Sequence, residues 1–285
     1  MKHLELSNGA QIPMQMMGTS VWDRVGDWKT LQSKMNNAIS YCVTNGLAGL
    51  DTSRDYHNES QLGIIFQKLI SSGECSRDNI YITTKVGNGQ QRYRRMADEI
   101  SQSLKALRLE YVDLWLLHWP LPDYWIDNWK QLCDIYETGK VKAIGIANCR
   151  ERHLEELLKN GLPLPHVVQI EHHPFRTVPN FLKICAENYI QVEAYSSNCL
   201  MLPFVRNNNV LNRIASSHNK SVAQIMTRWH IQHRVIPIFS SFSINHIKEN
   251  IDVYDFELSD EEMQQIFALD EDYKYHPESL NCPGY

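Results

Sequence analysis

Residues 51–59 read Asp51-Thr52-Ser53-Arg54-Asp55-Tyr56-His57-Asn58-Glu59, and they lie between a strand-like and a helix-like pattern. The apolar run before them, residues 47–50, is typical of a buried strand. Residues 60–66, which follow, carry apolar side chains at helical spacing. We therefore predict Asp51 at the carboxyl end of a strand and Tyr56 in the loop after it. In a parallel α/β barrel, this end of the sheet carries the catalytic residues.

The next two strand patterns also end in residues that can do chemistry. Lys85 follows the run 80–84, and His118 follows the run 112–117. Because the parallel strands of a barrel present their carboxyl ends at one face, these residues should lie close to Asp51 and Tyr56. The sequence therefore predicts a carboxylate, a phenol, an ammonium and an imidazole around one point.

Strand and helix patterns alternate along the rest of the chain. Further strands are predicted at residues 14–17, 141–147, 166–171, 191–195 and 235–238. Helices are predicted at about residues 29–44, 59–71, 96–107 and 126–137. Strands that alternate with helices need crossover connections, which are the connections of a parallel sheet. Eight such strands predict the α/β class and a (β/α)8 TIM barrel, and 285 residues suit one such domain, residues 1–285, better than two.

Both ends of the chain carry patterns outside the barrel repeat. Residues 4–12, interrupted by Asn8-Gly9, predict an N-terminal β-hairpin with a type I′ turn. Ser259 and Glu262 have the spacing of a capping box, and they predict a C-terminal helix over about residues 260–269. The tail, residues 270–285, lacks helical periodicity and is either a frayed end or a flap over the barrel mouth.

The composition argues against several classes of partner. A net charge of −5 and a pI near 6.2 argue against nucleic acid or an anionic membrane surface. No apolar run approaches the roughly 20 residues of a membrane helix, and the N-terminus lacks the apolar core of a signal peptide. The seven cysteines form no Cys-x-x-Cys pair, so we expect reduced thiols in a cytoplasmic protein. We expect a monomer or a weak homodimer that acts on a small molecule and holds no metal.

Three segments together resemble the aldo-keto reductase superfamily. They are DTSRDYHNES followed by Leu62-Gly63, the strand ITTK that ends at Lys85, and YVDLWLLHWP around His118. The resemblance covers nearly the whole chain and is specific as a set, although no single segment would be. It implies a hairpin that closes the barrel floor. It also implies a protein that reduces an aldehyde or ketone, sugar-like or otherwise small, with NADPH or NADH.

The chemistry of carbonyl reduction explains why these residue types occur together. Reduction places a hydride on carbon and a proton on oxygen. A phenol can supply the proton, but its ordinary pKa near 10 makes it a weak acid. A nearby ammonium lowers that pKa, a carboxylate keeps the ammonium charged, and an imidazole can orient the carbonyl oxygen. The resemblance assigns these roles, in that order of phenol, ammonium, carboxylate and imidazole, to Tyr56, Lys85, Asp51 and His118.

The resemblance also implies where a dinucleotide and a substrate would bind. Tyr195 would stack on the nicotinamide, and Asn148 and Gln169 would bind its carboxamide. Ser196 would donate to the pyrophosphate. The other predicted cofactor-binding residues are Gly18, Thr19, Asp51, Ser240, Ser241, His246, Glu249 and Asn250. The predicted substrate-contacting residues are Trp119, Trp22, Tyr56 and His118.

The chain departs from the family pattern where the adenosine phosphate would bind. Ser240 and His246 occupy the positions of the Lys and Arg that the family places on the 2′-phosphate. Charged partners make stronger hydrogen bonds to phosphate than neutral ones do. We therefore expect a weakened preference for NADPH, with NADH competitive or favoured, although Lys248 could reach the phosphate instead. Ala147 also replaces a Ser that would contact the nicotinamide.

Two other functions fit parts of the same pattern. A barrel lyase could use Lys85 as a Schiff-base nucleophile, although the neighbouring Asp51 would keep the amine charged. A regulatory barrel could hold a nicotinamide with little turnover. The replacements at Ala147, Ser240 and His246 are the reason to keep this second alternative open.

Overall fold

The computed structural model describes residues 2–20, 28–47, 49–93, 95–277 and 282. For residues 28 and 29, only the backbone is described. The prediction that Trp22 contacts the substrate therefore lies outside the described residues.

The strands and helices alternate as predicted. The strands are β1 (His3–Glu5), β2 (Gln11–Pro13), β3 (Met16–Gly18), β4 (Gly49–Asp51), β5 (Tyr81–Val86), β6 (Val112–Leu117), β7 (Val141–Ala147), β8 (Val167–Glu171), β9 (Gln191–Tyr195) and β10 (Ile236–Phe239). The helices are α1 (Trp28–Thr44), α2 (Glu59–Ser71), α3 (Asn88–Gln91), α4 (Met96–Leu107), α5 (Trp125–Tyr136), α6 (Glu151–Lys159), α7 (Pro179–Glu187), α8 (Pro203–Arg206), α9 (Asn209–His218), α10 (Val222–Gln232), α11 (Ile244–Ile251) and α12 (Asp260–Phe267). Within the described ranges, we find no helix with the length and apolar character that a membrane span requires.

Strands β3 to β10 form a closed parallel barrel, which confirms the predicted (β/α)8 fold. The ring closes because β10 pairs with both β9 and β3. Alternate residues of β6 show the two faces of the wall. Leu114 and Leu116 belong to the cluster inside the barrel, whereas Trp115 and Leu117 pack against the surrounding helices. Both faces are buried, so the strand reads as a continuous apolar run.

The N-terminal hairpin closes the barrel floor, as expected. Strands β1 and β2 pair antiparallel, and Leu4, Leu6 and Ile12 join the apolar cluster inside the barrel. The predicted type I′ turn is wrong. That turn needs a positive φ at both Asn8 and Gly9, but only Gly9 has one, at 81°. The loop instead has three residues, in which the Gly9 amide donates to the Leu6 carbonyl.

One glycine of the family-like segment fixes how closely two outer helices approach. A Cβ at Gly63 in α2 would lie 2.3 Å from the carbonyl oxygen of Ala106 in α4. No side chain fits at that distance, so α2 can lie directly on the last turn of α4. This close approach fixes the position of α2, the helix that follows the Tyr56 loop.

The capping box of the final helix is confirmed. The Glu262 amide donates to the Ser259 hydroxyl at 3.2 Å, and the Ser259 amide donates to the Glu262 carboxylate at 2.8 Å. These two bonds satisfy amides that have no partner within the helix. The helix ends at Phe267, two residues before the predicted end.

The described part of the tail is docked on the barrel and is not a frayed end. The buried Glu171 carboxylate, at the end of β8, accepts the amides of Tyr275 at 2.6 Å and His276 at 3.0 Å. Farther along, Cys282 is buried against Trp119 and Leu121 in the loop after β6. The tail therefore contacts two separate strand ends at the mouth of the barrel.

Candidate active site

The ends of β4 and β5 bring a buried acid and a buried base together. The Lys85 Nζ donates to Asp51 Oδ1 at 2.6 Å and Oδ2 at 2.8 Å, and to the Thr52 carbonyl at 2.9 Å. Lys85 is fully buried and Asp51 is nearly so. A buried ammonium is tolerated only when it is paired and hydrogen-bonded, and here three oxygen atoms surround it.

Tyr56 lies above this pair on a single 3₁₀ turn, Arg54–Tyr56. Its hydroxyl is 3.5 Å from the Lys85 Nζ. Asn58 anchors the loop, because its Oδ1 accepts the Thr52 hydroxyl at 2.7 Å and its Nδ2 donates to the Thr19 carbonyl at 2.9 Å. The loop that carries the phenol is thus tied to the ends of β3 and β4.

Glu59 anchors the other side of the same loop. Its buried carboxylate accepts the hydroxyls of Thr84 at 2.7 Å and Ser103 at 3.2 Å, and a guanidinium N–H of Arg54 at 3.4 Å. These contacts join the first turn of α2 to β5 and α4. The Asn-Glu pair after Tyr56 therefore acts as a support for the phenol.

The charges of Lys85 and Tyr56 follow from their burial and from each other. Burial works to lower the pKa of Lys85, but the Asp51 carboxylate and Tyr56 outweigh it, so the pKa lies above its ordinary value. Burial raises the pKa of Tyr56, and the Lys85 ammonium only partly opposes this. The predicted effect of Lys85, which lowers the pKa of the phenol, is present, but burial outweighs it. The phenol keeps its proton at neutral pH and is ready to donate it.

His118 joins the group through an aromatic contact and through a carboxylate. Its ring stands edge-on to Tyr56, with centroids 6.0 Å apart and planes at 80°. Its Nδ1 lies 2.9 Å from Asp55 Oδ2 and 3.2 Å from the Ser53 hydroxyl. Asn148 Nδ2 donates to the His118 carbonyl at 2.9 Å. Asp55 and Ser53 were not predicted as site residues, because each has the sequence pattern of an ordinary polar loop residue.

A second buried carboxyl group lies one layer inside the barrel. Glu193 is fully buried, and burial together with the Asp51 charge raises its pKa to about 8. Gln169 Nε2 lies between the two acids, 2.8 Å from Asp51 Oδ2 and 2.8 Å from Glu193 Oε2. Burial and the Asp51 charge therefore favour the protonated form of Glu193. The sequence signal was an acid within the apolar strand β9, and it was overlooked.

The predicted nicotinamide residues lie at neighbouring strand ends. The Tyr195 hydroxyl, at the end of β9, donates to Asn148 Oδ1, just after β7, at 2.7 Å. Ser196 follows with a φ of 50°. Both N–H groups of Gln169 are used inside the barrel, so its oxygen remains to accept from a carboxamide. A half-exposed aromatic ring beside two side-chain amides fits a nicotinamide.

The residues predicted to bind the adenosine end of the cofactor are partly exposed and partly buried. Ser240, His246 and Glu249 are exposed, and the buried Ser241 hydroxyl lies 3.5 Å from His246 Nδ1. Asn250 is buried, and its amide is used within the protein. Its Nδ2 donates to the His246 carbonyl at 2.7 Å, and its Oδ1 accepts the hydroxyl of Thr227 at 3.3 Å. Asn250 therefore supports α11, and its contact with adenine stays a prediction.

The residues at the end of β3 are buried. Thr19 is fully buried, and its hydroxyl donates to the Asp51 carbonyl at 3.0 Å. The Thr19 side chain therefore supports Asp51, and a contact of Gly18 or Thr19 with a cofactor stays a prediction. Gly18 is buried beside Ser240, where an added Cβ would lie 3.8 Å from the serine Cβ. Trp119 is 6% exposed and packs against Cys282 of the tail.

The geometry also bears on the lyase alternative. A Schiff-base lysine attacks as a neutral amine. The pKa of Lys85 is raised by Asp51, and its Nζ already has three close acceptors. The chemistry therefore favours proton transfer over imine formation. Among the residues that the structure describes, no group of three or more His, Cys, Asp or Glu side chains could hold a metal ion.

Comparison with known proteins agrees with the barrel fold. A model of the aldo/keto reductase family matches residues 16–198 and 202–271. The chain belongs to this family. The superfamily resemblance of the three sequence segments is thereby confirmed.

Curated and solved relatives cover almost the full chain. Glyoxal reductase of Bacillus subtilis is 38% identical over 275 residues, which are 96% of this chain and 95% of that protein. Methylglyoxal reductase DkgA of Escherichia coli is 31% identical over 256 residues, 89% of this chain and 91% of that protein. The crystal structure of a Bombyx mori aldo-keto reductase in complex with NADP has a TM-score of 0.90 at 27% identity, covering 100% and 98% of the two chains.

Proposed function

We propose that this aldo-keto reductase reduces a small aldehyde of the 2-oxoaldehyde type, such as glyoxal or methylglyoxal, to the corresponding alcohol. The observation that carries the proposal is the contact of Lys85 Nζ with both Asp51, at 2.6 Å, and the Tyr56 hydroxyl, at 3.5 Å. This is the arrangement that carbonyl reduction needs, namely a protonated phenol backed by a fixed cation.

The steps performed by the chain are proton transfer and orientation. A reduced nicotinamide, when bound, supplies the hydride. Tyr56 gives its proton to the carbonyl oxygen as negative charge develops there, and the Lys85 ammonium stabilises the phenolate that remains. Asp51 holds the ammonium in place. Tyr195, Asn148 and Gln169 would hold the nicotinamide beside this group.

A contact at the mouth of the barrel supports a small substrate. Cys282 of the tail packs against Trp119 and Leu121, and Trp119 follows His118 directly in the chain. The named activities of two relatives, glyoxal reductase and methylglyoxal reductase, agree with a compact substrate bearing adjacent carbonyl groups. We therefore place small oxoaldehydes ahead of sugars and bulky aromatic ketones.

A panel of carbonyl compounds tests the proposed substrate class. Reduced dinucleotide consumption would be followed by absorbance with glyoxal, methylglyoxal, an aldose and a bulky aromatic ketone. We expect kcat/KM to be highest for the two oxoaldehydes, by about tenfold or more, since that ratio requires only about 1.4 kcal/mol of differential binding. Absence of consumption with every carbonyl, despite dinucleotide binding, would instead favour the regulatory barrel.

We propose in addition that NADH competes effectively with NADPH. Ser240 and His246 are exposed where the family would present its Lys and Arg. Lys248 lies over the Tyr41 ring of α1, with Nζ 5.9 Å from the ring centroid, which gives it another partner. Each missing charge-assisted bond costs roughly 1.5–3 kcal/mol, which corresponds to about tenfold or more in affinity for the phosphorylated dinucleotide.

Titration of both reduced dinucleotides by fluorescence quenching tests this preference. We expect the two dissociation constants of the wild type to lie within about tenfold of each other. Ser240→Lys and His246→Arg should each tighten NADPH binding by about tenfold and leave NADH binding nearly unchanged. Wild-type binding of NADPH about a hundredfold tighter than NADH would overturn the proposal.

A further inference from the structure

The carboxylate of Asp55 is a hydrogen-bond partner of the His118 ring. Its Oδ2 lies 2.9 Å from Nδ1 of the ring. The Ser53 hydroxyl, 3.2 Å from the same nitrogen, accepts the Asp55 amide at 3.2 Å. The pair is partly shielded, with 36% of the Asp55 side chain and 18% of the His118 side chain exposed. Asp55 directly precedes the proposed proton donor, Tyr56.

The backbone after β5 leaves space for this carboxylate, because residue 87 is a glycine. A Cβ at Gly87 would lie 1.9 Å from Asp55 Oδ1. Any other residue at position 87 would therefore push the carboxylate away from its present position. The contact of Asp55 with His118 thus depends on a glycine two residues after Lys85.

The protonation of the His118 ring follows from its neighbours. Burial works to raise the pKa of Asp55, but the bond to His118 and the nearby charges of His57 and Lys85 bring it below its ordinary value. Asp55 is therefore ionised, and an ionised carboxylate only accepts hydrogen bonds. The Nδ1 atom must carry a hydrogen to face it. Nε2 then remains as the nitrogen that can face a substrate.

A carbonyl oxygen, like a carboxylate, only accepts hydrogen bonds. A ring nitrogen that faces it must therefore carry a hydrogen. For His118 to orient a carbonyl from Nε2, that atom needs a hydrogen as well, so the ring must be doubly protonated. The other charged or titratable groups around the pair are His57 and Tyr56 on the same loop, Asp51 of β4 and Lys85 of β5. Asp51 and Lys85 neutralise each other, which leaves Asp55 as the carboxylate bonded to the ring.

We infer that Asp55 is a positioning residue that holds the hydrogen on His118 Nδ1 and stabilises the imidazolium, so that Nε2 donates to the carbonyl oxygen of the substrate. The inference rests on the proposed reduction and assigns a role within the same site. The role of Asp55 is exerted through the His118 ring that it contacts. Its removal therefore acts on the carbonyl step and leaves dinucleotide binding in place.

The first test is the kinetic effect of Asp55→Asn. Because the charged partner of the His118 ring is lost, kcat/KM for methylglyoxal should fall by about tenfold or more. Dinucleotide affinity should be unchanged. The control is Glu187→Gln, which removes an exposed carboxylate of α7 and should keep the wild-type kcat/KM.

A second variant and a second readout separate positioning from a folding defect. Gly87→Ala leaves Asp55 in the chain but takes the space of its carboxylate, and it should reproduce the loss of kcat/KM. Nitrogen NMR of labelled histidine should find hydrogen on Nδ1 of His118 in the wild type and a changed distribution over the two nitrogens in both variants. Unchanged kcat/KM and unchanged nitrogen signals in Asp55→Asn would overturn the inference.

Failure of the inference can be told apart from failure of the proposed function. A wild type that reduces carbonyls, combined with variants that match it, rejects only the role of Asp55. A wild type that reduces no carbonyl rejects the proposed function, and the role of Asp55 in reduction is rejected with it. In that case the NMR signals still report the proton on Nδ1 of His118.

Discussion

Tyr56→Phe is expected to lower kcat by roughly 10²- to 10⁴-fold, the usual contribution of a positioned acid. The substitution removes only the hydroxyl that lies 3.5 Å from Lys85 Nζ and keeps the ring that contacts His118. The substrate oxygen then has no phenolic proton to receive. Dinucleotide affinity should change little, because the predicted nicotinamide contacts come from Tyr195, Asn148 and Gln169.

Tyr81→Phe is the matched control for this variant. Tyr81 is also a buried tyrosine, it lies on β5, and its hydroxyl is among the buried oxygens without a hydrogen-bond partner in the described residues. Its variant should keep both turnover and binding. Steady-state turnover and fluorescence titration should be measured on both proteins. Tyr56→Phe with near wild-type turnover would contradict the proposed role of the phenol.

Lys85→Met should combine a large loss of stability with a loss of turnover. The substitution leaves the Asp51 carboxylate buried without its cation, and breaking a buried pair in this way costs about 3–5 kcal/mol. It also removes the charge that would stabilise the Tyr56 phenolate. Asp51→Asn combined with Lys85→Met removes the unpaired charge, so the double variant should regain part of the stability but none of the turnover.

Urea unfolding of the wild type, both single variants and the double variant measures the coupling between Asp51 and Lys85. The free energies of unfolding should be clearly non-additive, since the two side chains are in direct contact. Additive values would mean that the pair does not act as a unit. Full turnover by the double variant would show that the proposed proton donor needs no cation beside it.

The barrel and the four strand-end residues could be predicted because their signals repeat along the chain. Apolar runs that end in Asp51, Lys85 and His118 place these side chains at one face once the strands are parallel. The structure brings Tyr56, Lys85 and Asp51 into direct contact, and it places His118 beside the phenol. Their catalytic roles remain predictions until the variants are measured.

The partners of His118 could not be predicted, because they depend on distant segments. Asp55 looks like a solvated loop residue until Gly87, from another strand end, makes room for its carboxylate. The pKa values of Tyr56 and Glu193 could not be predicted from the sequence either. Desolvation raises both pKa values, and its size depends on the packed barrel and not on neighbours in sequence.

Family position does not show which partners a polar side chain has within the protein. Thr19 and Asn250 occupy predicted cofactor positions, and both are buried and hydrogen-bonded within the protein. Those bonds join elements that are distant in sequence and depend on the packed barrel. The sequence shows the residue type and leaves these partners unknown.

Single-turnover transfer of deuterium tests the central claim most directly. Enzyme loaded with dinucleotide deuterated at C4 of the reduced nicotinamide would be mixed with methylglyoxal, and the product analysed by mass spectrometry. The account predicts one deuterium on the former carbonyl carbon with the wild type and a far slower appearance of that product with Tyr56→Phe. Product without deuterium, or equal rates for the two proteins, would contradict it.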